Sequence, residues 1–315
     1  MPTLTQLGYI VAVHRTGHFG RAAADCGVSQ PTLSAQIAKA EAELGVTLLD
    51  RQSKPIRPTE PGRVLIELAR EVLSAHDRLM AAARGRDALS GPFVLGVIPT
   101  LAPYVLPYFL PTFVERYPEV ELTLLERPTE AIVEEIAAQR MDAAILATPL
   151  GEATLSKTVL FYDPFYVFAH RDSPVLEPGN DVDLASIDRG DLWLLEDGHC
   201  FRSQVVHLCG LHRREVLPSV SFEAGSFETL RALIDSSRGF TLVPETYART
   251  LPTDVRLAQV RAFRDSIPTR EVSLVAHRSQ WKTDILEAIT ATVRELAPRS
   301  LPRELGEGEV LPILG

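Results

Sequence analysis

From position 92 onward, short apolar runs that suit β-strands alternate with segments whose apolar residues recur every three or four positions. The strand-like runs are 92–98, 119–126, 142–148, 161–170, 193–196, 219–224, 240–244, 255–260 and 271–277, and the helix-like segments are 102–116, 129–139, 226–236 and about 281–296. Alternation of this kind builds parallel sheets flanked by helices. The sequence therefore predicts an α/β body whose ligand cleft lies where helix N-termini converge.

The chain has 315 residues, which exceeds one ordinary hydrophobic core and suits two or three domains. With 45% hydrophobic and 23% charged residues it is predicted to be globular, which excludes a wholly disordered protein. It has no secretory leader pattern and no run of about eighteen apolar residues. Its three cysteines are too few for a secreted disulfide scaffold. We therefore expect a soluble, cytoplasmic protein with no membrane partner.

The net charge of −9 hides an asymmetry between the first 59 residues and the remainder. Residues 1–59 carry six basic and four acidic side chains, so a head of charge +2 precedes a body of charge −11. A small basic head on an acidic body favours a local nucleic-acid-binding domain over general coating of nucleic acid.

The head has the pattern of short helices separated by turns. An alanine-rich helix over 21–26 is followed by a break at Gly27, and Ser29 then caps a further helix with Pro31 in its first turn. This succession is typical of a helix-turn-helix. The basic run over 51–58 indicates a short wing behind it.

The second helix of a helix-turn-helix enters the major groove, where short hydroxyl and amide side chains near its start reach base edges. Cations on that helix and in the wing are expected to bind phosphate. The predicted DNA-binding residues are Ser29, Gln30, Pro31, Thr32, Ser34, Gln36, Lys39, Arg51 and Lys54. A capped surface helix without DNA contacts is the plainer interpretation of the same local pattern.

A long helix is predicted from about 60 to 89, because apolar residues recur there at mixed three and four spacing. A helix of about 30 residues spans roughly 45 Å, so its apolar stripe needs a partner. The same helix of a second subunit is the simplest partner, and packing on the chain's own body is the alternative.

The stretch LLEDGHCFRSQVVHLCGLH, residues 194–212, holds two of the three cysteines. A thiolate, not a thiol, attacks peroxide, and His199, Arg202 and a helix start would favour the anion at Cys200. A lowered pKa of Cys200 is therefore expected. Packing of both thiols in a core is one alternative. A thiophilic metal site is another, built from His199, Cys200, His207, Cys209 and His212, although their spacing matches no common zinc framework.

From about residue 4 to residue 298 the chain resembles the LysR-type transcriptional regulators, and within them the hydrogen-peroxide-sensing OxyR subfamily. The residues that carry the resemblance are FGRAAADCGVSQPTLSAQIAKAEAELGVTLLDR (19–51), GVIPTLAPYVLP (96–107), LLEDGHCFRSQ (194–204) with Cys209, and SFETLRALI (226–234). The resemblance implies an α/β fold with an N-terminal winged helix-turn-helix, a long linker helix and a two-lobed periplasmic-binding-protein-like regulatory domain.

The resemblance also implies a division of labour among the site residues. Cys200 would be the peroxidatic cysteine and Cys209 the resolving one, joined by a reversible disulfide. The residues implied to bind and activate peroxide are Thr100, Thr129, His199 and Arg202. The family commonly has an acidic residue after the arginine, where this chain has Ser203, and that departure bears on how protons are supplied.

If residues 201–208 are helical in the reduced protein, the nine-residue step between the cysteines spans about 13 Å. A disulfide tolerates Cα separations of at most roughly 7 Å. Pairing of the two cysteines would therefore unwind the helix and change the shape of the regulatory domain.

The partners implied by the resemblance are double-stranded promoter DNA, RNA polymerase, hydrogen peroxide as the signal, and other copies of the chain in a homodimer or homotetramer. No cofactor, bound metal or enzymatic activity is expected. The expected domains are a winged helix-turn-helix (1–59), a linker helix (60–90), a first regulatory lobe (91–163 plus 269–298), a second lobe (164–268) and a flexible tail (299–315).

Two other functions remain open on the sequence. One is a regulator on the same scaffold that is gated by a small metabolite or a metal in the cleft between the lobes. The other is a thiol peroxidase with a DNA-binding head, which the lack of a thioredoxin-type CxxC motif disfavours.

Overall fold

The computed structural model describes residues 1–84, 89–176, 181–183, 192–195, 200–209, 225–237, 239–264, 267–280, 282–306 and 308–311. The chain forms two compact units, Met1–Ala88 and Leu89–Gly315. Among the helices of these described ranges, none is both long and apolar enough to cross a membrane.

The first unit is a helix-turn-helix followed by a two-stranded hairpin and a long helix. Its elements are α1 (Leu4–Thr16), α2 (Phe19–Asp25), α3 (Gln30–Leu44), β1 (Leu49–Asp50), β2 (Arg57–Pro58) and α4 (Glu60–Arg84). Ser29 caps α3 by accepting a hydrogen bond from the backbone N–H of Thr32, and Gly17 ends α1 in the left-handed conformation. The antiparallel strands β1 and β2 form the predicted wing.

A buried carboxylate ties this wing to α3. Glu41 is 9% exposed and accepts the backbone N–H groups of Leu48 and Leu49 at 2.7 and 3.2 Å. Its other oxygen accepts a hydrogen bond from Arg51 at 2.9 Å. Because a buried carboxylate is costly without such partners, the wing is held in one position against α3.

Helix α4 buries one side and exposes apolar residues on another. Ile66 packs into the core of the first unit. The large apolar residues of α4 that lie between 47% and 67% exposed are Val64, Leu68, Val72 and Leu79. Exposed apolar surface of this kind marks an interaction site, and its use in dimerisation stays a prediction.

The second unit alternates strands and helices. Its first half contains β3 (Gly91–Val97), α5 (Ala102–Arg116), β4 (Val120–Glu126), α6 (Thr129–Ala137), β5 (Ala143–Thr148) and β6 (Leu155–Ala169). The rest contains α7 (Cys200–Leu208), α8 (Phe227–Ser237), β7 (Phe240–Pro244), α9 (Glu245–Ala248), α10 (Thr253–Gln259), β8 (Val260–Arg261), β9 (Ile267–His277), α11 (Thr283–Leu296) and β10 (Gly308–Val310).

Two long strands, β6 and β9, organise this unit. The sheet order is β4-β3-β5-β9-β6-β7, with β8 beside β6 and β10 beside β9. The first part of β6 pairs with β9 and its last part pairs with β7. The unit consequently has two lobes with separate hydrophobic cores, which we call lobe I and lobe II. Because β9 runs antiparallel to β5 and β6, the prediction of parallel sheets is wrong for these strands.

Most predicted strands and helices of the body are confirmed to within a few residues, and one strand is wrong. Residues 255–260 were expected to be a strand from their alternation, but they lie in α10 except for Val260. Pro252 precedes this helix and Asp254 lies in its first turn. These helix-start signals outweigh the brief alternation of apolar and polar residues that had suggested a strand. Residues 193–195 form no regular strand, and the predicted strand 219–224 lies outside the described residues.

The expectation of a flexible tail over 299–315 is wrong for the part of it that the structure describes. The backbone N–H of Tyr162 donates to the carbonyl of Pro302 at 2.7 Å, and β10 pairs in parallel with β9. Leu301 and Leu311 are buried. The proline and glycine content suggested mobility, but these apolar side chains find buried surface on the body.

Candidate functional site

The DNA-binding candidates lie at the start of α3 and on the wing. Ser29, Gln30, Pro31, Thr32, Lys39, Arg51 and Lys54 are exposed, whereas Ser34 and Gln36 are half-buried. This arrangement presents hydroxyl and amide groups at an exposed helix N-terminus, which suits contacts with phosphates and base edges. The individual DNA contacts remain predictions.

Three of these candidates also hold the first unit together. Gln36 accepts a hydrogen bond from the side chain of the buried Gln6 at 2.9 Å. Ser34 accepts one from Arg51 at 3.3 Å, and the Arg51 guanidinium lies 5.4 Å from the centre of the Phe19 ring. Substituting Gln36 or Arg51 would therefore disturb the fold as well as any contact with DNA.

Helix α7 carries two cysteines, one at each end. Cys200 is its first residue and Cys209 follows its last, and both are free thiols, 5% and 3% exposed. The condition set in the sequence analysis, a helix over 201–208, is met. Nine helical steps span about 13 Å, well beyond the roughly 7 Å between Cα atoms that a disulfide tolerates. The two thiols cannot pair in this conformation.

The Cys200 thiol is buried among polar groups. Burial raises the pKa of this thiol, and the Arg270 guanidinium, the Thr129 hydroxyl and the backbone N–H groups of Cys200 and Phe201 act in the opposite direction. The expectation of a lowered pKa is therefore wrong, because the desolvation of the thiolate outweighs its hydrogen-bond donors. The Thr129 hydroxyl is itself buried and has no nitrogen or oxygen partner among the described residues.

The site also contains a buried ion pair between Arg270 and Asp163. Arg270 and Asp163 are both 0% exposed, and the Nε of Arg270 donates to the carboxylate of Asp163 at 3.0 Å. The carboxylate also accepts the Thr246 hydroxyl at 2.7 Å. Arg270 extends to Thr100, donating to its hydroxyl oxygen at 3.1 Å and its carbonyl at 3.2 Å. The Thr100 hydroxyl, with its oxygen occupied by a cation, keeps its own proton to donate.

The sequence interpretation missed Arg270, Asp163 and Thr246. A signal was present for Asp163, which is the one charge in the apolar run 160–169, but not for Arg270, which is followed directly by Glu271. An isolated charge in a buried strand requires a partner of opposite sign. The partner of each could not be read from the sequence, since 107 positions separate them.

The other two predicted peroxide-binding residues are placed differently. His199 lies outside the described residues. Arg202 is half-buried and donates to the backbone carbonyl of Leu195 at 2.8 Å, so at least one of its N–H groups is engaged by the chain. The assignments of Thr100, Thr129, His199 and Arg202 to peroxide stay predictions.

The proposed metal site has little support in the described part of the chain, where no three histidine, cysteine, aspartate or glutamate side chains cluster. His207 is exposed, whereas Cys200 and Cys209 are buried. His199 and His212 lie outside the described residues. What the described groups can do is hold a small polar molecule against a thiol, with hydroxyl donors and a cation nearby.

Both units match known protein families. Residues 4–63 match the family model "Bacterial regulatory helix-turn-helix protein, lysR family", and residues 86–298 match "LysR substrate binding domain". A full-length OxyR variant from Pseudomonas aeruginosa has a similar solved structure, with a TM-score of 0.79 and 31% sequence identity, covering 94% of this chain and 99% of that one.

Two curated relatives extend the likeness. The "Hydrogen peroxide-inducible genes activator" of Pectobacterium carotovorum subsp. carotovorum is 37% identical over 297 residues, 93% of this chain and 96% of the relative. The "DNA-binding transcriptional dual regulator OxyR" of Escherichia coli (strain K12) is 37% identical over 243 residues, 76% of this chain and 78% of the relative. With residues 4–63 and 86–298 matched by these two family models, the chain belongs to the LysR family, whose members are DNA-binding transcriptional regulators and not enzymes.

Proposed function

We propose that the chain is a peroxide-responsive transcriptional regulator whose signal is a reversible disulfide between Cys200 and Cys209. The observation that carries this proposal is the position of the two buried cysteines at the two ends of α7, together with the Thr129 hydroxyl and the Arg270 charge that act on the Cys200 thiol. The name of the Pectobacterium relative, a hydrogen peroxide-inducible genes activator, supports the response to peroxide.

The first step is the two-electron oxidation of Cys200. The thiol loses its proton, the sulfur attacks one peroxide oxygen, the O–O bond breaks, and the other oxygen leaves and takes up the proton to become water. Cys200 is left as a sulfenic acid. Hydroxyl donors at Thr100 and Thr129 would stabilise the departing oxygen, a role also proposed for His199 and Arg202, and the charge of Arg270 would stabilise the thiolate.

The second step is resolution by Cys209. Its thiol attacks the sulfenic sulfur, the disulfide forms and water leaves, so that two thiols and one peroxide give one disulfide and two waters. This requires α7 to unwind. Phe201 and Val205 are buried in the core of lobe II, and removing each from it costs about 1.5–3 kcal/mol. The disulfide would therefore be linked to a large local rearrangement.

The output would be a change in how DNA is held. Refolding of α7 would alter contacts between regulatory units, the spacing of DNA-binding heads along promoter DNA and the engagement of RNA polymerase. The exposed apolar stripe of α4 supports association of copies into a dimer, and a homotetramer fits the same proposal.

Footprinting of the promoter DNA upstream of the chain's own gene tests this proposal. Wild type should give different footprints before and after about one equivalent of hydrogen peroxide, and dithiothreitol should restore the first. Cys200→Ser should give the reduced footprint in both conditions. An identical footprint for reduced and peroxide-treated wild type would overturn the proposal, and a shift caused instead by a metabolite or metal would favour a ligand-gated regulator.

A further inference from the structure

Beyond the family's matched region, which ends at residue 298, the C-terminal strand contacts the helix that carries both cysteines. We infer that residues 308–311 are a positioning segment that holds α7 in its helical form and so slows closure of the disulfide. The effect on closure rests on the proposed function, whereas the hold on α7 does not.

The first contact is a hydrogen bond to the middle of α7. Gln204 is 0% exposed, and its side-chain amide donates to the backbone carbonyl of Leu311 at 3.1 Å. The amide oxygen of Gln204 has no partner within the described ranges. A buried amide in this state depends on its remaining hydrogen bond, so the Leu311 carbonyl matters for keeping Gln204 inside.

The second contact is hydrophobic. The Leu311 side chain is 2% exposed and belongs to the same core of lobe II as Phe201, Val205 and Cys209. These three residues lie on α7 or directly after it, so Leu311 and the helix contribute to one buried apolar cluster. Unwinding of α7 would leave Leu311 without these neighbours.

The third contact anchors the segment to a strand that leads into the thiol site. β10 pairs in parallel with the first residues of β9, and the backbone N–H of Leu311 donates to the carbonyl of Thr269 at 3.0 Å. The next residue along β9 is Arg270, which reaches Thr100 and acts on the Cys200 thiol. Residues 308–311 therefore connect β9, which carries Arg270, to α7, which must unwind before the disulfide can form.

These contacts predict different effects on the two chemical steps. Attack of Cys200 on peroxide takes place while α7 is folded, so loss of the segment should leave its rate within about twofold. Attack of Cys209 on the sulfenic acid needs an unwound α7, so loss of the segment should speed it. A residue with a merely structural role would not change the two rates selectively.

The test uses the full chain with Leu311→Ala, with Gln204→Met and with a stop after Gly306. Glu309→Ala is the matched control, because Glu309 lies on the same strand but is exposed. Hydrogen exchange on the reduced proteins should show faster exchange of α7 in the three variants and not in the control. Rapid-quench thiol labelling after peroxide should show disulfide closure about 5- to 10-fold faster, with sulfenic acid formation nearly unchanged.

Unchanged exchange of α7 in all three variants would overturn the inference, as would an equal change in both chemical steps. If one variant does not fold, the remaining two decide. A wild type that loses no thiols to peroxide would overturn the proposed function and with it the effect on closure, while the exchange experiment on reduced protein still decides whether the segment holds α7.

Discussion

The two ends of α7 differ in what surrounds their cysteines. Cys200 packs against lobe I and is acted on by a hydroxyl, a guanidinium and two backbone N–H groups. Cys209 lies in the aromatic and aliphatic core of lobe II. Peroxide is attacked by a thiolate, and the groups around Cys200 favour its thiolate. Burial of the two thiols is nearly equal, so the proposed order of reaction, Cys200 first and Cys209 second, depends on the groups that surround Cys200.

The largest expected effect comes from removing the Arg270 guanidinium, whose charge acts on the Cys200 thiol. Arg270→Met should lower the free energy of unfolding by about 3–5 kcal/mol, because Asp163 would remain buried without its ion-pair partner. Urea unfolding followed by circular dichroism measures this. Arg116→Met, which removes an exposed arginine that pairs with Glu295, is the matched control and should leave the unfolding midpoint almost unchanged. An equally small change for Arg270→Met would show that the ion pair does not support the Cys200 end.

The next largest effect is expected from a change in pH, because pH sets the fraction of Cys200 that is present as thiolate. Burial raises the pKa of Cys200, so at neutral pH the thiolate is a minor species whose fraction grows about tenfold per pH unit. The rate of sulfenic acid formation in Cys209→Ser should therefore rise about 100-fold from pH 6 to pH 8, as measured by rapid-quench labelling. A flat profile over this range would mean that Cys200 is already ionised and that its polar neighbours outweigh burial.

A smaller effect is expected from one hydroxyl. Thr129→Val removes a donor to the Cys200 thiolate, and a hydrogen bond to a charged group contributes about 1.5–3 kcal/mol. Attack on peroxide should slow by about 10- to 100-fold. Thr292→Val makes the same change at a buried hydroxyl that bonds to the Ala288 carbonyl on α11, and it should leave the rate as in wild type. Equal rates in the two variants would show that the Thr129 hydroxyl does not assist the reaction of Cys200 with peroxide.

The smallest effect is expected at the apolar end of the helix. Cys209→Ala removes one sulfur atom from a packed core and should lower the free energy of unfolding by about 1 kcal/mol. The first oxidation step should keep its rate, because the groups that act on the Cys200 thiol are Arg270, Thr129 and two backbone N–H groups. A slowed first step, measured by sulfenic acid trapping, would mean that the two ends are not independent.

The sequence predicted best those parts of the molecule whose signals are local. The cap at Ser29 and the start of the helix with Pro31 in its first turn depend on neighbouring residues, and both are confirmed. The direction of the Cys200 pKa shift was wrong, because burial is a property of the folded chain. The contact of Gln204 with Leu311 joins residues 107 positions apart, and no local sequence pattern predicts it.

Intact mass of Cys200→Ser and Cys209→Ser after about one equivalent of hydrogen peroxide tests the central claim most directly. If the surroundings of Cys200 make it the reacting thiol, Cys209→Ser gains one oxygen and Cys200→Ser keeps its mass. Addition of oxygen to Cys209 in the Cys200→Ser variant at a comparable rate would contradict the account, because the thiol in the apolar core would then react without the polar groups.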